Sequence, residues 1–337
     1  MKKLTVFFLA LTLLLCACGK PESDKTESFA IGTGTRQCFA MAGDTLISAA
    51  GSGVRGFDHM GETVLDFTCN LTYPAVCSNG ESAVVYDIGG GNIVCSDGSA
   101  LSFENAIINV SLSEDGHLAV CAEEPGYKGA VTVYSPEMKQ VYKWYCAESW
   151  IIAAAVSPDG ESLAVLCSDE AGSRIRIFSL DSEAERGSYS APESLNELIW
   201  LDDTICGIGS DGIYFCNAEG REKDSYEFGG LNFERCRVWD GKLVIELREH
   251  SFGGAGELVI IDDGASERGR ISCPDEIISL DCGDDGILCL TQSRVILYDG
   301  EYKEAFSADI TGAEAAFMRQ AGDILAVGGG NARVIEY

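Results

Sequence analysis

Three histidines, His59, His117 and His250, are the entire imidazole supply of the chain. None lies at zinc-protease spacing from another, and no Gly-x-Ser-x-Gly elbow exists, so neither metal hydrolysis nor a Ser–His triad has a motif behind it. The 15 cysteines form no Cys-x-x-Cys pair and no Cys/His cluster at zinc spacing. Carboxylates are abundant, but most fall in turns such as Gly283-Asp284-Asp285-Gly286, which lack the alternating acids of a calcium loop. No two of them stand out as a glycosidase pair. Gly51-Ser52-Gly53-Val54-Arg55-Gly56 is a literal G-x-G-x-x-G. A dinucleotide fingerprint needs a helix next, whose N-terminus receives the pyrophosphate. Phe57-Asp58-His59-Met60-Gly61-Glu62 follows instead, a turn into another strand. The expectation is therefore no catalytic residue, no metal site, no cofactor and no enzyme.

Charge narrows the partners. There are 53 acidic and 24 basic residues, a formal charge of −29. Phosphate-backbone binding needs clustered Lys and Arg, so nucleic acid is excluded as a partner. A content of 46% hydrophobic and 23% charged residues belongs to a folded globular chain.

Met1-Lys2-Lys3 is a positive start, and Leu4 to Leu15 is an apolar run too short to span a membrane as a helix. Leu15-Cys16-Ala17-Cys18-Gly19 then resembles the lipobox of bacterial lipoproteins: an aliphatic residue at −3, a small residue at −1, then cysteine. Cys16 fits less well, because Leu15 would stand at −1. The resemblance implies a signal peptide over 1–17, lipidation at Cys18 and attachment to the extracytoplasmic face of the cell membrane through the lipid. Loss of Lys2 and Lys3 with the signal takes the charge to −31. Residues 18–27 carry no large apolar side chain after the cysteine and read as a flexible tether. Thirteen cysteines then remain. An oxidising compartment favours disulfides. Yet the thiols are scattered about one per strand, as in Leu118-Ala119-Val120-Cys121 and Tyr214-Phe215-Cys216, and read as small buried core residues.

The body, residues 28–337, is a series of short β-type runs broken by Gly, Asp and Ser turns. A tight turn recurs at Gly43, Gly80, Gly116, Gly160, Asp203, Gly241, Gly286 and Gly322, at spacings of 37, 36, 44, 43, 38, 45 and 36. In each unit a first strand enters the turn and a strongly apolar second strand follows, as in Ser162-Leu163-Ala164-Val165-Leu166. A third strand then ends in a polar turn, and a more polar fourth strand leads out. Eight such units predict an all-β, eight-bladed β-propeller of four-stranded blades whose outer edges meet water. The last unit stops after its third strand, Ala332-Arg333-Val334-Ile335-Glu336. Ser28 to Thr33 forms an unclaimed short strand before the first unit. The expectation is that 28–33 closes the ring by pairing antiparallel with 332–336, beside Val334 and Ile335.

Ser157-Pro158-Asp159-Gly160 and Gly129-Ala130-Val131-Thr132-Val133-Tyr134 resemble WD-repeat-like and related bacterial propellers. More narrowly, units three and four are similar to an uncharacterised propeller family of clostridia-type bacteria. The resemblance covers most of 36–337, and its motifs are short. Intracellular WD repeats end the third strand in Trp-Asp; here it ends Phe57-Asp58, Tyr298-Asp299 or Ile261-Asp262. The resemblance implies a fold and brings no catalytic residues.

Loop length is the one asymmetry. The second-to-third connections are long in unit three (Glu123 to Gly129), unit four (Asp169 to Ser173) and unit six (Glu249 to Gly256). Exposed aromatics beside glycine suit a binding surface, so Tyr127, Lys128, His250 and Phe252 are the candidate binding face. The expected function is a protein-binding or scaffolding module at the bacterial envelope, with an unknown envelope protein or glycan as partner. The alternative is a propeller that binds or degrades an envelope or dietary polysaccharide. An assembly factor resembling the propeller lipoprotein of outer-membrane β-barrel machines is a third reading, and it requires a Gram-negative host.

Overall fold

The structure, a computed structural model, describes residues 28–170, 172–182, 184–250 and 254–337. Cys18 and Phe252 lie outside the described residues. Thirty-two strands form eight four-stranded antiparallel sheets, and each sheet is one blade of a β-propeller. Blades one to seven follow chain order, from Cys38–Ala42 as the innermost strand of blade one to Glu304–Asp309 as the outermost of blade seven. The eight tight turns foreseen from the repeat each join a first strand to a second.

Burial explains this order. Second and third strands are covered on both sides by neighbouring blades, so they read as continuous apolar runs rather than alternating ones. Thr204–Gly209 and Gly286–Thr291 are buried at every residue, whereas the outermost Glu222–Glu227 is exposed at five of its six. The core is accordingly eight clusters, one per junction between consecutive blades. Val131, Leu163, Val165 and Phe178 join blades three and four; Ile31, Leu46, Phe57 and Leu325 join blades eight and one. The thirteen described cysteines are all free and nine are buried, consistent with packing residues.

The turn after the third strand has one construction in several blades. Asp58 Oδ1 accepts from the backbone N–H groups of Met60 (2.9 Å) and Glu62 (2.8 Å). Asp262 repeats this with Gly264 and Ser266, and Asp299 with Glu301 and Lys303. The third residue after the capping acid has positive φ: Gly61 at 80°, Ala265 at 60°, Tyr302 at 63°. One residue of register is lost beside it, as between Gly56 and Phe57. This is a type I turn closed by a bulge, in which the side-chain acceptor helps Ala265 and Tyr302 tolerate a backbone region that favours glycine.

Blade eight borrows its outer strand from the N-terminus. Ser28–Ala30 pairs antiparallel with Asn331–Glu336, which completes the sheet. The contact is shorter and higher than expected: Ser28, Phe29 and Ala30 face Arg333, Ala332 and Asn331, not Val334 and Ile335. Ile31 and Gly32 still donate to the Gly330 carbonyl at 2.9 and 3.0 Å. Gly32, at φ 75°, then turns the chain toward blade one. The buried Ile31 locks the turn, so the pairing cannot extend to residue 33. Arg319, paired with Asp323, also reaches the His59 carbonyl across the closure at 3.4 Å.

Candidate functional site

Second-to-third and fourth-to-first connections share one face, called upper here; first-to-second and third-to-fourth turns share the lower face. Among the described residues ten large hydrophobic side chains are exposed. Five of them, Tyr73, Ile88, Tyr127, Tyr145 and Trp150, belong to the upper side of blades one to four. The lower face spends its polar groups differently, in the turn caps just described and in pairs such as Ser157–Asp159.

The junction of blades three and four is the richest part of this arc. Trp150 opens the innermost strand of blade four and is 57% exposed. Lys128 ends the second-to-third loop of blade three, and its Nζ lies 4.3 Å from the Trp150 ring centroid. The backbone N–H of Lys128 donates to the Cys146 carbonyl at 2.7 Å, which fixes the end of that loop. Tyr127, 47% exposed, packs on Tyr145 with ring centroids 4.9 Å apart. Lys143 lies 4.7 Å from the Tyr145 ring and 3.0 Å from Glu124. Burial opposes the Lys143 charge, but Glu124 outweighs it and holds the ammonium above its ordinary range. Beside the Lys128–Trp150 contact lies a shallow, open cleft of about 650 Å³ lined by Lys128, Glu148, Trp150, Ser168, Asp169 and Glu170. Beneath it, the Cys146 thiol is 3.4 Å from Ser149 Oγ. Hydrogen bonding with Cys167 and then Ser149 pulls Cys146 down, while Cys167 is pushed up.

The junction of blades six and seven has the same plan and a different filling. Ile277 begins the inner strand of blade seven with the bulge that Ile151 begins in blade four, so Glu276 stands where Trp150 stands. Arg248, 3% exposed, ends the second strand of blade six. It reaches Glu246 (2.6 Å), Glu276 (3.3 Å) and the Ile277 carbonyl (2.9 Å). Arg235 approaches Glu246 at 2.8 Å and donates to the Ile278 carbonyl. Burial raises the Glu246 carboxyl, and Arg235 and Arg248 pull it back. The thiols of Cys273 and Cys289 meet at this junction too.

Of the residues singled out from sequence, Tyr127 and Lys128 are adjacent and both belong to the blade-three/four site. His250 is exposed, but it sits on the loop of blade six, three blades along the ring. The structure therefore does not gather it with the other two. Trp150, Tyr145 and Glu148 were missed because loop length alone was weighed. The short fourth-to-first loop Tyr145-Cys146-Ala147-Glu148-Ser149-Trp150 carried its own signal, two aromatics flanking a small polar turn. The innermost strands add Glu197 and Asp281, both pushed up by burial, with Arg237 on the intervening blade pulling back.

The sequence profile of a family of unknown function (DUF5711) matches residues 23–335, nearly the whole chain. The chain belongs to that family. No curated protein matches it in sequence. Its fold is similar to Sqt1 of Saccharomyces cerevisiae, at 11% identity and TM-score 0.65 over 92% of this chain and 98% of that one. It is also similar to BamB from Moraxella catarrhalis, at 12% identity and TM-score 0.59 over 93% and 99%. A eukaryotic initiation factor aligns at 15% identity and TM-score 0.58 over 90% and 84%. At these identities the likeness establishes the propeller for this DUF5711 member and assigns no site.

Proposed function

We propose that this protein is a membrane-tethered, extracytoplasmic docking module that binds another protein through the upper face of blades one to four, without catalysis. The observation that carries the reading is the gathering of five exposed large hydrophobic side chains on that arc. Exposed Tyr and Trp held in place by packing are the residues that dominate protein interfaces. The lipobox-like Leu15-Cys16-Ala17-Cys18 supports the tether. Acyl chains on Cys18 would hold it stably, at about 0.8 kcal/mol per buried methylene.

The test compares variants in intact cells. Cys18→Ser is expected to move the protein from washed membranes to the soluble fraction, and Cys16→Ser to leave it bound. Trp150→Ala with Tyr127→Ala is expected to lower partner capture about tenfold, the scale of one interface hot spot. A Cys18→Ser protein retained on membranes would overturn the anchor. Undiminished capture by the aromatic double variant would overturn the face.

A further inference from the structure

Resting on that docking reading, we propose that the cleft between blades three and four receives an arginine- or lysine-bearing segment of the partner. The chain itself supplies the template. At the junction of blades six and seven, Arg248 lies between Glu246 and Glu276 and bonds the first carbonyl of the next inner strand. The strand registers place Glu123 at the position of Arg248. Ala122 faces Ile107 just before the inner-strand bulge of blade three, as Leu247 faces Phe233 in blade six. Trp150 stands at the position of Glu276. One junction thus carries its own guanidinium plug; the other has Cys121, Glu123 and the Trp150 ring, one face of which Lys128 already meets, at the matching places.

The cleft's lining suits a cation of that kind. Glu148, Asp169 and Glu170 line it against a single lysine, in a protein whose formal charge is −29. An incoming anion would meet three carboxylates there. The Trp150 ring already holds an ammonium group at 4.3 Å, a π-face that favours cations by about 0.5–1 kcal/mol at an exposed site. A volume of about 650 Å³ is enough for one or two long side chains and the backbone that carries them. The Tyr127–Tyr145 pair, held by the Glu124–Lys143 ion pair, supplies a flat rim against which such a segment can lie.

The test uses the full-length protein and two labelled peptides, acetyl-(Gly-Arg)4-amide and acetyl-(Gly-Glu)4-amide, in about 0.15 M salt, where long-range attraction is screened. The arginine peptide is expected to bind and the glutamate peptide not to bind. Glu148→Gln with Glu170→Gln is expected to weaken binding at least fivefold, and so is Trp150→Ala. Glu161→Gln with Glu301→Gln, an equal charge change on the lower face, is expected to change it less than twofold. Glu123→Arg, which sets a guanidinium at the register position of Arg248, is expected to weaken binding, with an unchanged melting midpoint showing that the fold is intact. Equal loss from the lower-face pair, or full binding by Glu123→Arg, would overturn the proposal. Preference for the glutamate peptide would overturn it too. If neither peptide binds while crosslinks from the upper face still recover a partner protein, the cation inference falls and the docking reading stands.

Discussion

The junctions of blades three and four and of blades six and seven are built on one plan, yet one is sealed and the other open. Both place a free thiol pair under the upper rim, and both start the next inner strand with a bulge after a buried isoleucine. At blades six and seven, Glu246 and Arg248 are 0% and 3% exposed. Charges so far from water hold only while each keeps its partners, and such a network trades stability for a fixed geometry. At blades three and four the places of Glu246, Arg248 and Glu276 are taken by the buried Cys121, by Glu123 and by Trp150, the last two in contact with solvent. Changing what fills these three positions turns a structural rivet into an exposed surface, with no change of fold.

Breaking each junction should therefore give different kinds of damage. The largest effect belongs to the closure between blades eight and one. Deleting residues 28–33 removes the fully buried Ile31 and the outer strand of blade eight. It is expected to cost about 5 kcal/mol or more in chemical denaturation, from a buried aliphatic side chain plus the lost ladder bonds. Deleting 20–26 should cost almost nothing. Next comes the sealed junction, where Glu246→Ala leaves Arg248 buried without its main partner and should cost about 3–5 kcal/mol. The matching break at the open junction, Trp150→Ala, should cost only about 1 kcal/mol, since it loses an exposed cation–π contact and the packing of a side chain that is more than half exposed. Equal destabilisation at the two junctions would erase the distinction between them.

The smallest expected effect is on pH. Burial raises the Asp281 carboxyl, so the folded state holds its proton more tightly than the unfolded chain does. The resulting contribution is fully present below the unfolded pKa and is lost as pH rises through the higher folded one. Asp281→Asn keeps an acceptor for the Met318 N–H and removes the titration. Its melting midpoint should exceed the wild type by about 2 °C at pH 8, with the gap closing by about pH 4. A gap independent of pH would exclude burial of the charge as its cause.

Much of the fold is legible in the residues because propeller blades repeat their grammar. Gly43 through Gly322 mark eight turns, and the missing fourth strand after Glu336 points to Phe29-Ala30-Ile31. The register of that strand was not legible. It depends on Gly32 adopting positive φ and on Ile31 entering the core between blades eight and one, both tertiary facts. Tyr127 and Lys128 were visible as a long loop beside glycine. Trp150 and Tyr145 flank a short polar turn in the sequence, but only the ring curvature places Trp150 beside Lys128. His250 shows the converse, since a long loop on another blade shares a face with the site without reaching it. The contrast between Glu123 and Arg248 required strand registers, because the two sequences share no motif.

The central claim is that the upper arc of blades one to four is where a partner docks, and a photo-crosslinking side chain tests it most directly. Placed in living cells at Tyr73, Tyr127 or Trp150 on the upper face, it is expected to yield one discrete protein adduct. Placed at Met60 or Glu301 in the lower-face turns, it is expected to yield none. Adducts from the lower positions with none from Tyr73, Tyr127 or Trp150 would contradict the account.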